Sequence, residues 1–124
     1  MGKPHILIAD DEQYIRLLAS RLLSDKFAVL EASDGAKAVD MARKHKPSLI
    51  LMDIMMPNMD GYTACSKIKT DQSTKKIPVV MLTGLGFELN KKLAQTAGAD
   101  GYITKPFTLE KLLDAIGKVV EIPK

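Results

Sequence analysis

Residues 49–61 read Leu49-Ile50-Leu51-Met52-Asp53-Ile54-Met55-Met56-Pro57-Asn58-Met59-Asp60-Gly61. Four long apolar residues in a row end on a carboxylate, and a proline and a glycine then punctuate the positions that follow. A run with no polar position predicts a strand covered on both faces, as in the interior of a parallel sheet. An acid that closes such a run is costly to bury and asks for a partner. Pro57 and Gly61 read as turn formers that carry the chain into the next helix.

Similar runs occur on either side, at Ile6 to Ala9, Ala28 to Leu30, Val79 to Leu82 and Tyr102 to Thr104. Between the first two, Ile15, Leu18, Ala19, Leu22 and Leu23 recur at helical spacing, as do Leu109, Leu112, Leu113, Ile116, Val119 and Val120 after the last. Weaker helical patterns cover Gly35 to His45, Tyr62 to Lys69 and Glu88 to Ala97, with Gly98 placed for a left-handed cap. Five strands and five helices in strict alternation predict an α/β fold. The expected architecture is a flavodoxin-like, doubly wound, five-stranded parallel sheet of order 2-1-3-4-5. The runs at Leu49 and Val79 belong at its centre, whereas Ala28-Val29-Leu30-Glu31 carries a charge and suits an edge. Residues 1–124 read as a single domain, with 121–124 a tail or the start of a linker.

The 124 residues are 46% hydrophobic, enough for one core. Eighteen basic against fifteen acidic residues, scattered along the chain, suit a solvated surface better than a nucleic-acid groove. A lone Cys65 forms no internal disulfide and points to a reducing compartment, the cytoplasm. No apolar stretch approaches the roughly 20 residues that a bilayer span requires.

In a parallel α/β sheet, ligands bind beyond the carboxyl ends of the strands. The residues directly following the runs are Asp10 and Asp11, then Asp53, then Thr83, then Lys105. Taken singly, each has a plainer reading: the acids near Glu12 cap a helix, Thr83 is a turn hydroxyl, and Lys105 is a solvated charge. Their convergence from four strands is what singles them out. Three converging carboxylates repel unless a cation neutralises them, and oxygen ligands without His or Cys favour Mg²⁺. Asp53 would then be both metal ligand and nucleophile, forming an acyl phosphate. Mg²⁺, Lys105 and the Thr83 hydroxyl would face the transferring oxygens. His5 and His45 lie outside this edge and read as surface residues.

Asp10-Asp11 after the first strand, Asp53 to Gly61 after the third, Leu82-Thr83-Gly84 after the fourth and Lys105-Pro106-Phe107 after the fifth resemble response-regulator receiver domains of two-component signalling. The likeness covers essentially the whole chain. It implies that Asp53 is the phosphoacceptor, Asp11 a direct Mg²⁺ ligand, Asp10 a ligand through water, and the Met55 carbonyl a further ligand. It also implies that Lys105 pairs with phosphoryl oxygens through a cis Lys105-Pro106 bond. Thr83 would bond to them after transfer, and Tyr102 would be an aromatic switch. The implied donor is a sensor histidine kinase or phosphotransfer protein, docking near Tyr14, Ile15 and Leu18 with Phe107 nearby. The output partner, unnamed by the sequence, would meet the face of the fourth helix, fifth strand and fifth helix around Leu85, Leu89 and Tyr102. Met55 and Leu85, bulky and apolar, orient no water, so self-dephosphorylation is expected to be slow.

Rival chemistries fit less well. A haloacid-dehalogenase-type enzyme has a second Asp two residues after its nucleophile, where this chain has Met55. An FMN carrier needs a phosphate loop where Asp10-Asp11-Glu12 would repel one. A phosphate-binding loop ending in Lys-Ser or Lys-Thr is missing. A degenerate receiver that never takes phosphate is disfavoured by five chemically competent positions. With no output domain in these residues, a regulator acting through a partner and a receiver cut from a longer protein both remain open.

Overall fold

A computed structural model describes residues 2–84, 92, 93 and 95–123. The strands are β1 (His5–Ala9), β2 (Ala28–Ala32), β3 (Leu49–Asp53), β4 (Val79–Thr83) and β5 (Gly101–Thr104). All pair in parallel, in the order β2-β1-β3-β4-β5. The helices are α1 (Gln13–Leu23), α2 (Gly35–His45), α3 (Gly61–Thr70) and α4 (Leu109–Gly117). The expected helix over Glu88 to Ala97 falls largely outside the described residues. Of its span, residues 92, 93, 95 and 96 are helical and Ala97 stands in a turn. The other four expected helices are complete among the described residues.

Every residue of β3 and β4 is buried, as their apolar runs demand, with the polar Asp53 and Thr83 closing them, while β2 with Glu31 lies at an edge. The two-residue period of each strand divides the core in two. Leu7, Ala9, Ile50, Met52, Val79 and Met81 face α2 and α3, meeting the small residues Ala38, Ala42, Ala64 and Cys65. Ile6, Ile8, Leu49, Leu51, Val80 and Leu82 face the other way, toward Ala19 and Leu23 of α1, Phe27, Phe107, and Leu112 and Ile116 of α4. Each fully buried Leu or Ile contributes about 1.5–3 kcal/mol.

Local chemistry sets most helix starts. Asp34, Asp60 and Thr108 accept hydrogen bonds from the amides of Lys37, Thr63 and Lys111. Gly98, at φ +89°, adopts the left-handed conformation foreseen for it. The last helix is shorter than its apolar period suggested. It ends at Gly117, yet Val119, Val120 and Ile122 still pack on the core from beyond it. Lys26 Nζ donates to the Pro123 carbonyl at 3.2 Å, which ties down the segment expected to be a tail. On α1, Ile15 and Leu18 turn toward the core, and the outward apolar residues are Tyr14 and Leu17. Among the described residues, no helix is long and apolar enough to cross a membrane.

Candidate functional site

Backbone bonds carry the sheet one residue past its strands and so aim the residues at its carboxyl edge. Asp10 N–H donates to the Ala32 carbonyl, Ile54 N–H to Leu82 and Lys105 N–H to Thr83, at 3.0, 3.2 and 2.7 Å. Asp53 and Thr83 are themselves the last residues of β3 and β4. The result is a cleft of about 370 Å³ lined by Asp11, Glu12, Asp53, Ile54, Met55, Thr83, Gly84 and Lys105.

Lys105 ties the acids together. Its Nζ donates to Asp10 Oδ2 at 2.8 Å and to Asp53 Oδ1 at 3.3 Å, and the Lys105-Pro106 bond is cis. Asp10 is wholly buried behind the cleft, and its second oxygen accepts the Glu12 amide at 2.9 Å. Asp10 thus serves the start of α1 with one oxygen and faces Lys105 with the other. Helix α1 correspondingly has no side-chain cap from Glu12 itself. Arg16 braces this loop from outside, donating to the Asp10 carbonyl at 2.8 Å and pairing with Glu31 at 3.0 Å.

Burial pushes the Asp53 carboxyl up from its ordinary 3.8 to about 6. Asp10 and, more weakly, Asp11 add to the rise, and Lys105 opposes it. A carboxyl at about 6 is still mostly ionised at neutral pH, so Asp53 keeps its nucleophilic lone pairs. Burial alone would lower the Lys105 ammonium, but Asp10 and Asp53 outweigh it and raise it. Thr83 is buried at the cleft wall. Met55 lines the cleft and is 79% exposed, and Tyr102 on β5 is 39% exposed. Leu85, expected beside Thr83, and Leu89, expected on the partner face, lie outside the described residues.

One carboxylate oxygen from each of Asp10, Asp11 and Glu12 lies within 4.8 Å of the other two. Glu12 was not among the metal ligands expected from sequence. Its adjacency to two acids at a strand end was the available signal, but it also suited a plain helix start. Asp53 stands outside that tight group and is joined to it through Lys105. The donor set is all oxygen and strongly anionic, which suits a hard divalent cation.

The family model for the response regulator receiver domain matches residues 6–117. The chain is 41% identical over 116 residues to the chemotaxis protein CheY of Halobacterium salinarum, covering 93% of this chain and 95% of that one. The structure of Vibrio cholerae CheY4 superposes with a TM-score of 0.90 at 31% identity, over 96% and 100% of the two chains. The receiver domain of a Pseudomonas aeruginosa sensor histidine kinase gives 0.85 at 26% identity, over 94% and 99%. It is described with a magnesium ion coordinated in its active-site cleft. Several relatives are much longer, and the chain spans under half of their length.

Proposed function

The chain belongs to the response regulator receiver family, the phosphoacceptor modules of two-component signalling, and we propose that its acceptor is Asp53. The observation that carries this reading is the pairing of Lys105 with both Asp10 and Asp53 over one acidic cleft. Residues 1–124 act as one receiver domain in this reading, and its place is the cytoplasm, where a single buried thiol is at home.

Asp11, Asp53 and the Met55 carbonyl would hold Mg²⁺ directly, and Asp10 through water. When bound, the ion neutralises the crowded acids and the phosphoryl oxygens. An Asp53 oxygen attacks the phosphorus of a donor phosphohistidine. The P–O bond of an acyl phosphate forms, the P–N bond breaks, and the imidazole leaves with its electron pair and takes a proton. Lys105 is drawn from Asp53 to the incoming oxygens, keeping its tie to Asp10, and Thr83 bonds to one of them after transfer. The module catalyses its own phosphorylation from the donor and its own slow dephosphorylation, and acts as a signalling module.

The phosphoryl group then favours one of two arrangements of Thr83 and Tyr102. Partner binding shifts on the face built by the helical segment before Gly98, by β5 and by α4. The upstream partner is a sensor histidine kinase or phosphotransfer protein, for which Tyr14 and Leu17 offer the exposed apolar contacts on α1. The downstream partner is a protein.

Intact mass after incubation with acetyl phosphate tests the acceptor. A phosphoryl adduct is expected with Mg²⁺, none without it, and none in Asp53→Ala. An adduct that survives Asp53→Ala would overturn the assignment.

A further inference from the structure

The loop between β3 and α3, residues 54–60, carries the Met55 carbonyl and is pinned at two places. At its neck, Gly61 N–H donates to the Ile54 carbonyl at 2.7 Å, and a Cβ on Gly61 would overlap the Asp53 carbonyl oxygen. At its crown, Asn58 adopts φ +68°, a left-handed conformation that Asn tolerates better than most residues. From there its Nδ2 donates to Asp34 Oδ2 at 3.0 Å. The same carboxylate caps α2, its Oδ1 accepting the Lys37 amide at 2.8 Å. Beside this pair, Gly35 approaches so closely that a Cβ there would overlap the Met59 carbonyl oxygen.

Capping α2 needs only one oxygen, and Ser or Asn would serve as well. Asp34 uses two. It is buried, and the Lys37 amide holds its carboxyl below the usual range against the opposing effect of burial, with Asn58 helping. An ionised, sheltered carboxylate makes the Asn58 bond charge-assisted.

We propose that Asp34 and Asn58 form a latch that fixes the β3–α3 loop, and with it the Met55 carbonyl, in the direction Mg²⁺ requires. Both are positioning residues, neither a ligand, and the proposal rests on the reading of the site given above. Outer-shell partners of this kind typically alter metal affinity 10- to 100-fold. The start of α2, distant in sequence from every site residue, thereby sets how well the cleft holds its ion.

Two substitutions separate the latch from the cap. Asp34→Ser keeps a helix cap and removes the oxygen that receives Asn58. Asn58→Gly keeps the left-handed backbone and removes the donor. On the full chain, titration calorimetry with MgCl₂ and metal-free amide hydrogen exchange are the two readouts. Each variant is expected to bind Mg²⁺ about 10-fold more weakly or worse. Exchange should quicken at Met59 and Gly61 but not in β3. The double variant should be no weaker than the worse single one, because both remove the same bond. Variants that bind Mg²⁺ within twofold of a Mg²⁺-binding native chain overturn the latch and leave the site reading standing. Exchange that quickens throughout the protein also overturns it, since the residues would then be merely structural. A native chain that binds no Mg²⁺ overturns the site reading and the latch together.

Discussion

Two lysine–aspartate arrangements stand at opposite edges of the sheet. At the amino edge, Lys69 Nζ donates to Asp100 Oδ2 and to the Ile77 carbonyl, both at 3.0 Å, and Asp100 Oδ2 also accepts the Val79 amide at 2.8 Å. One charge of each sign meets there, and each group also bonds to backbone. At the carboxyl edge, Lys105 faces Asp10 and Asp53, with Asp11 and Glu12 lining or flanking the same cleft. Arg16 does not redress the balance, because its charge is paired with Glu31. The first arrangement is closed and ties β4 to β5 and α3. The second carries surplus negative charge in a partly buried place, a cost that a structural ion pair avoids and a cation-binding site requires.

The largest expected contrast is in phosphotransfer. Lys105→Ala should slow phosphorylation by acetyl phosphate at least about 100-fold, the usual effect of removing a partner of developing charge. Lys69→Ala should leave the rate unchanged and lower stability by about 1 kcal/mol. Equal rates in the two variants would erase the distinction between the edges.

Opposite signs are expected for the aspartates in urea denaturation. The folded chain binds the Asp53 proton more tightly than the unfolded chain does, because its carboxyl sits at about 6 rather than 3.8. Native stability therefore falls as pH rises from about 4 to about 6, and the full penalty is present at pH 7. Asp53→Asn should gain about 1–3 kcal/mol at pH 7 and little at pH 4. Asp100→Asn should lose about 0.5–1 kcal/mol at pH 7, since it keeps the Val79 bond and gives up only the ion pair.

Calorimetry at several pH values supplies a third test. Mg²⁺ affinity of the native chain should weaken as pH falls below about 6, approaching tenfold per unit, because Asp53 must lose its proton to bind the ion. Lys69→Ala should show the same profile. The smallest effect concerns lifetime: Met55→Asn, which sets a polar amide where an exposed thioether lines the cleft, should shorten the acyl-phosphate half-life a few-fold in a mass-spectrometric time course.

The sheet was legible because β3 and β4 are apolar up to their last residues, Asp53 and Thr83, and burial follows directly from that. The convergence of Asp10, Asp11, Asp53, Thr83 and Lys105 followed from strand order alone. Other features did not. Val119 and Val120 continue a helical period although α4 has ended, because periodicity records burial and not backbone conformation. Lys105 bridging two acids, and Asp34 reaching Asn58, join residues far apart in sequence through side-chain geometry that no local pattern encodes. Asp34 stands just before the helix expected from Gly35, and its second oxygen leaves no mark on sequence spacing.

Cys65 is buried against α2 and the sheet, and its Sγ donates to the Ala97 carbonyl at 3.5 Å. Burial pushes its thiol up to about 11, so almost no thiolate forms at neutral pH. For spectroscopy, the native thiol is therefore expected to react slowly with maleimides. A single cysteine introduced at an exposed position such as Leu109 would be labelled in preference, giving a direct optical readout of movement at the start of α4 without first removing a native thiol.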